Sequence, residues 1–243
     1  DSASSLLDRL GPGSGPWQRA SAESVGLSTA SLQRAAAEVA DLAPQRQCLL
    51  VVKHGKIVHE SYSTHAERGK LYETDSLGKI FTAGVIGAAV QRKMLDIDRS
   101  LLSYNVTTDR SLWNRTGVDY WPQVTARHLL TQMSAYGLAE PGTLFSYDSD
   151  KYIQHLSALL ATRSGAPSVP VAKAIFAEPL GVPRLYDYEG SAEISAGGGQ
   201  MASCEQIARM GQLILNRGRW RNEQGEFTLA DPMYMQDLLS PAS

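Results

Sequence analysis

Cysteine is nearly missing. There are two in 243 residues, Cys48 and Cys204. Two cysteines cannot build the multi-bridge framework that holds small secreted domains together, so the fold has to rest on a hydrophobic core. Whether the two pair stays open at this stage, and a pair of small buried side chains is the plainer reading. Long apolar runs are missing too. The longest, residues 80–90, is interrupted by Thr82 and is too short to cross a bilayer. Basic residues are not in excess: 23 lysines and arginines, scattered, stand against 25 acidic residues. Nucleic acid and anionic membrane surfaces are therefore poor partners. Signatures of several chemistries are also lacking. No Gly-x-Ser-x-Gly elbow occurs. His59-Glu60 has Ser63 where a zinc-binding helix needs a second histidine, and the five histidines are dispersed, so no metal is expected. Gly197-Gly198-Gly199 is not followed by Gly-Lys-Ser/Thr, so it reads as a turn where chains pass closely rather than a phosphate loop. Heptads, repeats and low-complexity tracts are absent. The sequons at Asn105 and Asn114 are too short a motif to weigh.

What is present is a globular pattern with 43% hydrophobic residues. Residues 1–20, rich in Gly, Ser and Pro, read as an extended leader. Ser28 is placed to cap a helix to about Ala40. Two apolar runs, Cys48–Lys53 and Lys56–Tyr62, flank His54-Gly55 and predict a hairpin. From Ser76 to about Leu95 the chain is apolar or small on every side as far as Val90, the mark of a helix buried all round. Residues 96–124 are irregular. Helices are expected from Thr125 to about Met133, from Asp148 to about Arg163, over 168–180, from a Ser203/Gln206 capping box to about Asn216, and from Asp231 to Leu239. Three regions follow: 1–70 with leader, helix and hairpin; 71–200, mostly helical; and 201–243, helices returning to the first.

The chemistry concentrates in Ser76-Leu77-Gly78-Lys79. Asp75 reads as a helix cap, which would put Ser76 in the first turn, with Lys79 one turn on and on the same face. A serine hydroxyl is a weak nucleophile until a neighbour takes its proton. An ordinary ammonium cannot take it at neutral pH. Burial beside an apolar helix and the positive helix start both disfavour the charged form, which would let Lys79 act as the base. The backbone N–H of Ser76 could form one arm of an oxyanion hole. Ser-x-x-Lys alone is common, and a capping serine with a surface lysine is the bland alternative.

The stretch from Leu71 to Ala83 resembles the nucleophile motif of the serine β-lactamase and penicillin-binding protein superfamily. Further blocks agree in order. Trp17 to Leu32 is similar to the lead-in helix of the class C branch, and Cys48–Tyr62 to its first hairpin. Arg127 to Ser134 resembles its Arg-His-Leu-Leu-Thr-His-Thr-Ser block, and Ala196 to Ser203 its Gly-Gly segment. The resemblance implies an α/β (α+β) fold of the β-lactamase/DD-peptidase type, an antiparallel sheet flanked by helices plus a mostly helical region. It implies a serine hydrolase forming an acyl-enzyme on Ser76, with Lys79 and Tyr147 moving protons and no cofactor. Tyr147 stands in Phe145-Ser-Tyr-Asp-Ser-Asp, where class C members have Tyr-x-Asn; Ser149 replaces the substrate-binding asparagine. A Tyr-x-Ser version resembles 6-aminohexanoate-oligomer hydrolases and related carboxylesterases, so esters or linear amides are expected over β-lactams. A β-lactamase, an acyltransferase, and a non-catalytic binder or sensor remain the alternatives. His128, in the third block, reads as a structural, hydrogen-bonded histidine.

Two expectations concern the chain as a unit. The family's sheet has about five strands, yet only one hairpin is legible here, and its third motif, Lys-Thr-Gly or His-x-Gly, does not occur after Tyr147. The C-terminal strands are thus expected from a second polypeptide or an omitted C-terminal segment. No methionine precedes Asp1; a removed signal peptide would make the setting secreted or periplasmic, which is favoured, and a sequence that simply begins at Asp1 is the alternative.

Overall fold

A computed structural model describes residues 9–148, 150–187 and 191–240. Helix α1, Thr29–Leu42, starts where Ser28 Oγ accepts the N–H of Ser31. Strands β1, Cys48–Lys53, and β2, Lys56–Tyr62, pair antiparallel through a two-residue turn. Both turn residues are left-handed, His54 at φ 52° and Gly55 at φ 72°. That is the backbone a right-twisted two-residue hairpin demands. The leader runs along this hairpin: Arg19 bridges Ile57 of β2, and Trp17 Nε1 donates to the carbonyl of Glu205. Strand β3, Tyr72–Glu73, then leads into helix α2, Lys79–Gln91.

Helix α2 is the axis of the core. Phe81, Val85, Ile86, Ala88 and Ala89 are fully buried. Two of its glycines exist for close approach: a Cβ on Gly84 would lie 2.3 Å from the Phe176 ring, and one on Gly87 would lie 2.8 Å from Tyr234. Around it pack α3, Ala126–Leu130; α4, His155–Ser164; and a helical run over 168–180. That run comprises α5, Ser168–Ala172, a π-helical turn Lys173–Ala177, and α6, Glu178–Leu180. Helix α4 starts later than Asp148, because residues 150–154 form turns whose N–H groups at Tyr152 and Ile153 go to the Asp148 carboxylate. Trp113 and Trp121, buried with ring centroids 5.2 Å apart, anchor the irregular 96–124 stretch.

The chain returns through β4, Met201–Ala202, which pairs with β3, and α7, Cys204–Leu215, which opens on the Ser203/Gln206 capping box. A second hairpin follows, β5, Arg219–Asn222, with β6, Gly225–Thr228, before the last helix α8, Pro232–Asp237. Sequence patterning does not single this hairpin out: its strands are four residues long and mostly charged or polar outside Trp220 and Phe227. Among the described residues the strands form three separate pairs, not one sheet, and no strand lies on the second edge of β1. Leu49, Leu50, Val51 and Val52 of β1 are only half-buried. The cysteines are bonded to each other, joining the start of β1 to the start of α7. No helix among the described residues is long and apolar enough to cross a membrane.

Candidate active site

The turn that carries Ser76 is built from backbone, not from a side-chain cap. Strand β3 pairs with β4, and the N–H of Thr74 continues that ribbon by donating to the carbonyl of Gln200 at 2.9 Å. Asp75 then takes φ 45°, a left-handed value that costs a non-glycine residue about 1 kcal/mol. The expected Asp75 cap is therefore not formed. Its carbonyl is instead taken by the N–H of Gly199 at 3.0 Å. Ser76 lies in a single 3-10 turn, Asp75–Gly78, and the α-helix begins only at Lys79. Ser76 and Lys79 still share a face, since residues three apart eclipse in a 3-10 turn and Lys79 follows directly on it.

The glycine segment closes over this turn. Gly198, at φ 132°, lies so near that a Cβ would sit 2.0 Å from the Asp75 carbonyl oxygen. A Cβ on Gly78 would in turn lie 2.9 Å from the Cα of Gly198. The glycine segment is thus a turn where two chain segments pass closely, as its sequence predicts. The segment is tied to α2 where Thr82 Oγ1 donates to the carbonyl of Ala196 at 3.0 Å.

Three side chains meet here. Lys79 Nζ donates to Ser76 Oγ at 3.1 Å, to Tyr147 Oη at 3.0 Å and to the carbonyl of Gly197 at 2.7 Å. Tyr147 Oη donates to Ser76 Oγ at 2.5 Å. Lys79 Nζ also stands 4.7 Å from the centre of the Tyr147 ring. So the structure brings Ser76, Lys79 and Tyr147 together across 68 and 71 residues of sequence. Ser76 and Tyr147 are exposed and Lys79 is half-buried, which leaves the hydroxyl accessible. A cavity of about 220 Å³ opens beside it, lined by Glu73, Asp75, Ser76, Ser195 and Gly197 to Gly199. A more apolar one of about 320 Å³ lies beyond Leu77, against Cys48, Tyr72, Cys204 and Ile207. Ser149 lies outside the described residues.

His128 is a structural residue, as expected. Its Nδ1 accepts from the N–H of Thr125 at 3.2 Å and its own N–H donates to Thr125 Oγ1 at 3.3 Å, closing a capping box on α3. Burial holds its imidazole below the ordinary histidine range, in the direction that favours the accepting Nδ1. Sequence reasoning missed Gln132, whose carbonyl and side chain both bond to the segment bearing Tyr147. It lies inside the recognised block from Arg127 to Ser134, but nothing local marks a glutamine there. Beside it, Tyr136 stacks on Tyr152 at 4.2 Å, and burial raises its phenol well above the ordinary tyrosine range. Among the described residues no cluster of His, Cys, Asp and Glu is arranged to hold a metal.

A serine and a lysine one turn apart, joined by a tyrosine hydroxyl from a distant loop and set at the head of a buried helix, define a class of α/β protein. The Beta-lactamase family model matches residues 42–236, and the chain belongs to that family. The fold is shared with solved structures at low sequence identity. The octameric penicillin-binding protein homologue from Pyrococcus abyssi superposes with a TM-score of 0.65 at 16% identity, over 89% of this chain and 61% of that one. A provisionally assigned 6-aminohexanoate-dimer hydrolase from Bacillus anthracis gives 0.56 at 18%, over 84% and 62%. EstCE1, a hydrolase with promiscuous acyltransferase activity, gives 0.60 at 14%, over 96% and 76%. The chain thus spans less than two thirds of the first two. No curated protein matches the sequence.

Proposed function

We propose that this chain carries the nucleophile of a serine hydrolase acting on esters or linear amides. The observation that supports it is the mutual hydrogen bonding of Ser76 Oγ, Lys79 Nζ and Tyr147 Oη, all within 3.1 Å. Ser76 Oγ attacks the substrate carbonyl while its proton passes to the unprotonated Nζ of Lys79, and Tyr147 Oη relays it to the leaving group. The tetrahedral oxyanion rests against the Ser76 backbone N–H at the positive start of the helix. Collapse breaks the bond to the leaving group, which departs with the proton, and a serine ester remains. Water, or an alcohol or amine acceptor, then attacks that ester and the steps reverse. Ser149, in place of the asparagine that class C members use, is assigned to substrate contact and motivates the preference for esters and linear amides over β-lactams.

One oxyanion donor is not a complete hole. We infer that further strands, from a second polypeptide or from a C-terminal segment, lie along the open edge of β1 and bring the second donor. The half-buried Leu49 to Val52 and the absence of a described strand on that edge support this, because exposed apolar edges invite pairing.

The test is covalent labelling with a fluorophosphonate, read by mass spectrometry, beside a panel of p-nitrophenyl butyrate, 6-aminohexanoate dimer and nitrocefin. A single adduct on Ser76 is expected, lost in Ser76→Ala, with turnover down about 10⁴-fold or more and stability changed by about 0.5 kcal/mol or less. Wild-type labelling in Ser76→Ala would sink the nucleophile assignment. Nitrocefin as the best substrate would sink the ester and amide preference. A crystal structure of the adduct with both oxyanion donors from this chain would sink the added strand.

A further inference from the structure

Tyr147 sits on a segment that is neither helix nor strand, with its side chain exposed. Its phenol stays within hydrogen-bonding reach of Ser76 only if the backbone on either side is fixed, since a shift of about 1 Å at a reacting group can cost about 100-fold in rate. One residue fixes both sides. The backbone carbonyl of Gln132 accepts the N–H of Ser146 at 2.9 Å, and its side-chain Oε1 accepts the N–H of Asp148 at 2.6 Å. The two peptide N–H groups flanking Tyr147 therefore end on a single residue, as they would on a neighbouring strand. Asp148 secures the far side through its carboxylate, which accepts from Tyr152 and Ile153.

Gln132 stands there at a cost. It is buried just past the end of α3 at φ 60°, a left-handed position where glycine or asparagine is the usual occupant. Its Nε2 is buried with no partner among the described residues, and an unsatisfied buried donor costs about 1–3 kcal/mol. A residue kept for packing alone would carry neither cost. The Asp148 N–H can only donate, so the amide oxygen must face it, and the orientation of the carboxamide follows from its partner.

We propose that Gln132 is a positioning residue that holds the Tyr147 phenol on Ser76 Oγ by clamping the backbone on both sides of it. The inference rests on the role in proton transfer assigned to Tyr147 above. It concerns the rate of acyl transfer and not the binding of substrate, because the clamp touches the backbone around the phenol.

The test is a double-mutant cycle of Gln132→Met and Tyr147→Phe in the full chain, read by p-nitrophenyl butyrate turnover and by the rate of Ser76 phosphonylation. Methionine keeps the length of glutamine and removes the acceptor. Gln132→Met is expected to lower both rates about 10- to 100-fold with KM changed less than about twofold. In the Tyr147→Phe background it should have no further effect, because the group being positioned is gone. A merely structural role would instead multiply through both backgrounds. Gln132→Gly, which relieves the left-handed backbone and also removes the amide, should be as slow as Gln132→Met and answers the case in which methionine fails to fold. Wild-type rates in either foldable Gln132 variant, or equal losses in both backgrounds, would overturn the proposal while leaving Tyr147 in place. A Tyr147→Phe protein at wild-type rate would overturn the parent assignment, and this inference with it.

Discussion

The helical region around α2 and the β1–β2 hairpin belong to one chain but are secured in different ways. Every side of α2 meets other side chains, from Phe176 at Gly84 to Tyr234 at Gly87, and its core residues are fully buried. Of the hairpin's strand residues only Ile57 is buried. What holds the hairpin is sparse and specific. The Cys48–Cys204 bond ties it to α7, Glu60 pairs with Arg19 and Arg68, and the leader adds a bridge at Ile57. Surface ion pairs of this kind contribute little, about 0–1 kcal/mol each. The three site atoms all come from the first region or the loops packed on it. The proposed chemistry should therefore be sensitive to close packing around α2, whereas the hairpin should affect stability.

The strongest test of that division is at Gly198. Alanine there would place a Cβ 2.0 Å from the carbonyl oxygen of Asp75, and that neighbour is backbone, which cannot swing aside. Gly198→Ala is expected to displace the turn that carries Ser76 and slow its labelling about 100-fold or more. Gly199 is the control: it too has a positive φ, 82°, but nothing lies within 4 Å of an added Cβ. Gly199→Ala should cost about 1 kcal/mol, the left-handed penalty alone, with labelling nearly unchanged. Equal labelling rates in the two variants would mean that the close approach does not set the geometry of Ser76.

The disulfide tests the other half. It closes 156 residues of chain, and loops of that size are worth about 5 kcal/mol in the chain-entropy model. Cys48→Ser is expected to lower unfolding stability by about 3–5 kcal/mol. Amide hydrogen exchange should report where: β1 and β2 should lose protection first, while α2 amides keep theirs until global unfolding. Ser76 labelling in the folded fraction should change by less than about threefold, far short of the Gly198→Ala effect. Uniform loss of protection across both regions would dissolve the distinction.

How much of this could be read in the sequence divides along the same physical line. Features fixed by neighbours in sequence were legible: the caps at Ser28 and Ser203, the helix starts near Thr125 and Asp231, the His54-Gly55 turn, the apolar helix, and the serine–lysine spacing. Each is a local hydrogen bond or a local periodicity, so residue type and spacing carry the information. Tyr147 was found only because a motif resemblance pointed to it, and the structure brings it to Ser76. Features fixed by distant partners were not legible. The Cys48–Cys204 pair joins β1 to α7, and nothing near either cysteine encodes the other. The left-handed Asp75 is imposed by the glycine segment more than 120 residues on; locally, an aspartate before Ser-x-x-Lys looks like an ordinary cap. Gln132 acts through the backbone of Ser146 and Asp148, and backbone acceptors leave no trace in side-chain identity.

The smallest effect lies where the two regions meet. Ser203 Oγ accepts from the N–H of Gln206, and Gln206 Oε1 accepts from the N–H of Ser203, so the first turn of α7 is capped from both sides. The next residue is Cys204, which carries the bond to β1. Ser203→Ala removes one capping oxygen and should cost about 1 kcal/mol, with Ser76 labelling unchanged. The size of that loss should depend on the disulfide. With the bond intact, the start of α7 is held covalently at Cys204, so the turn has little freedom to fray when the cap is removed. With Cys48→Ser, the cap and the contacts of Trp17 and Arg19 with Glu205 are the restraints left on that turn, and Ser203→Ala should cost more than it does in the oxidised protein. Thermal unfolding of the two single variants and the double variant measures the coupling, for which contacting sites give about 0.5–3 kcal/mol. Additive losses would show that the helix start and the hairpin are secured independently, and that the disulfide serves the hairpin alone.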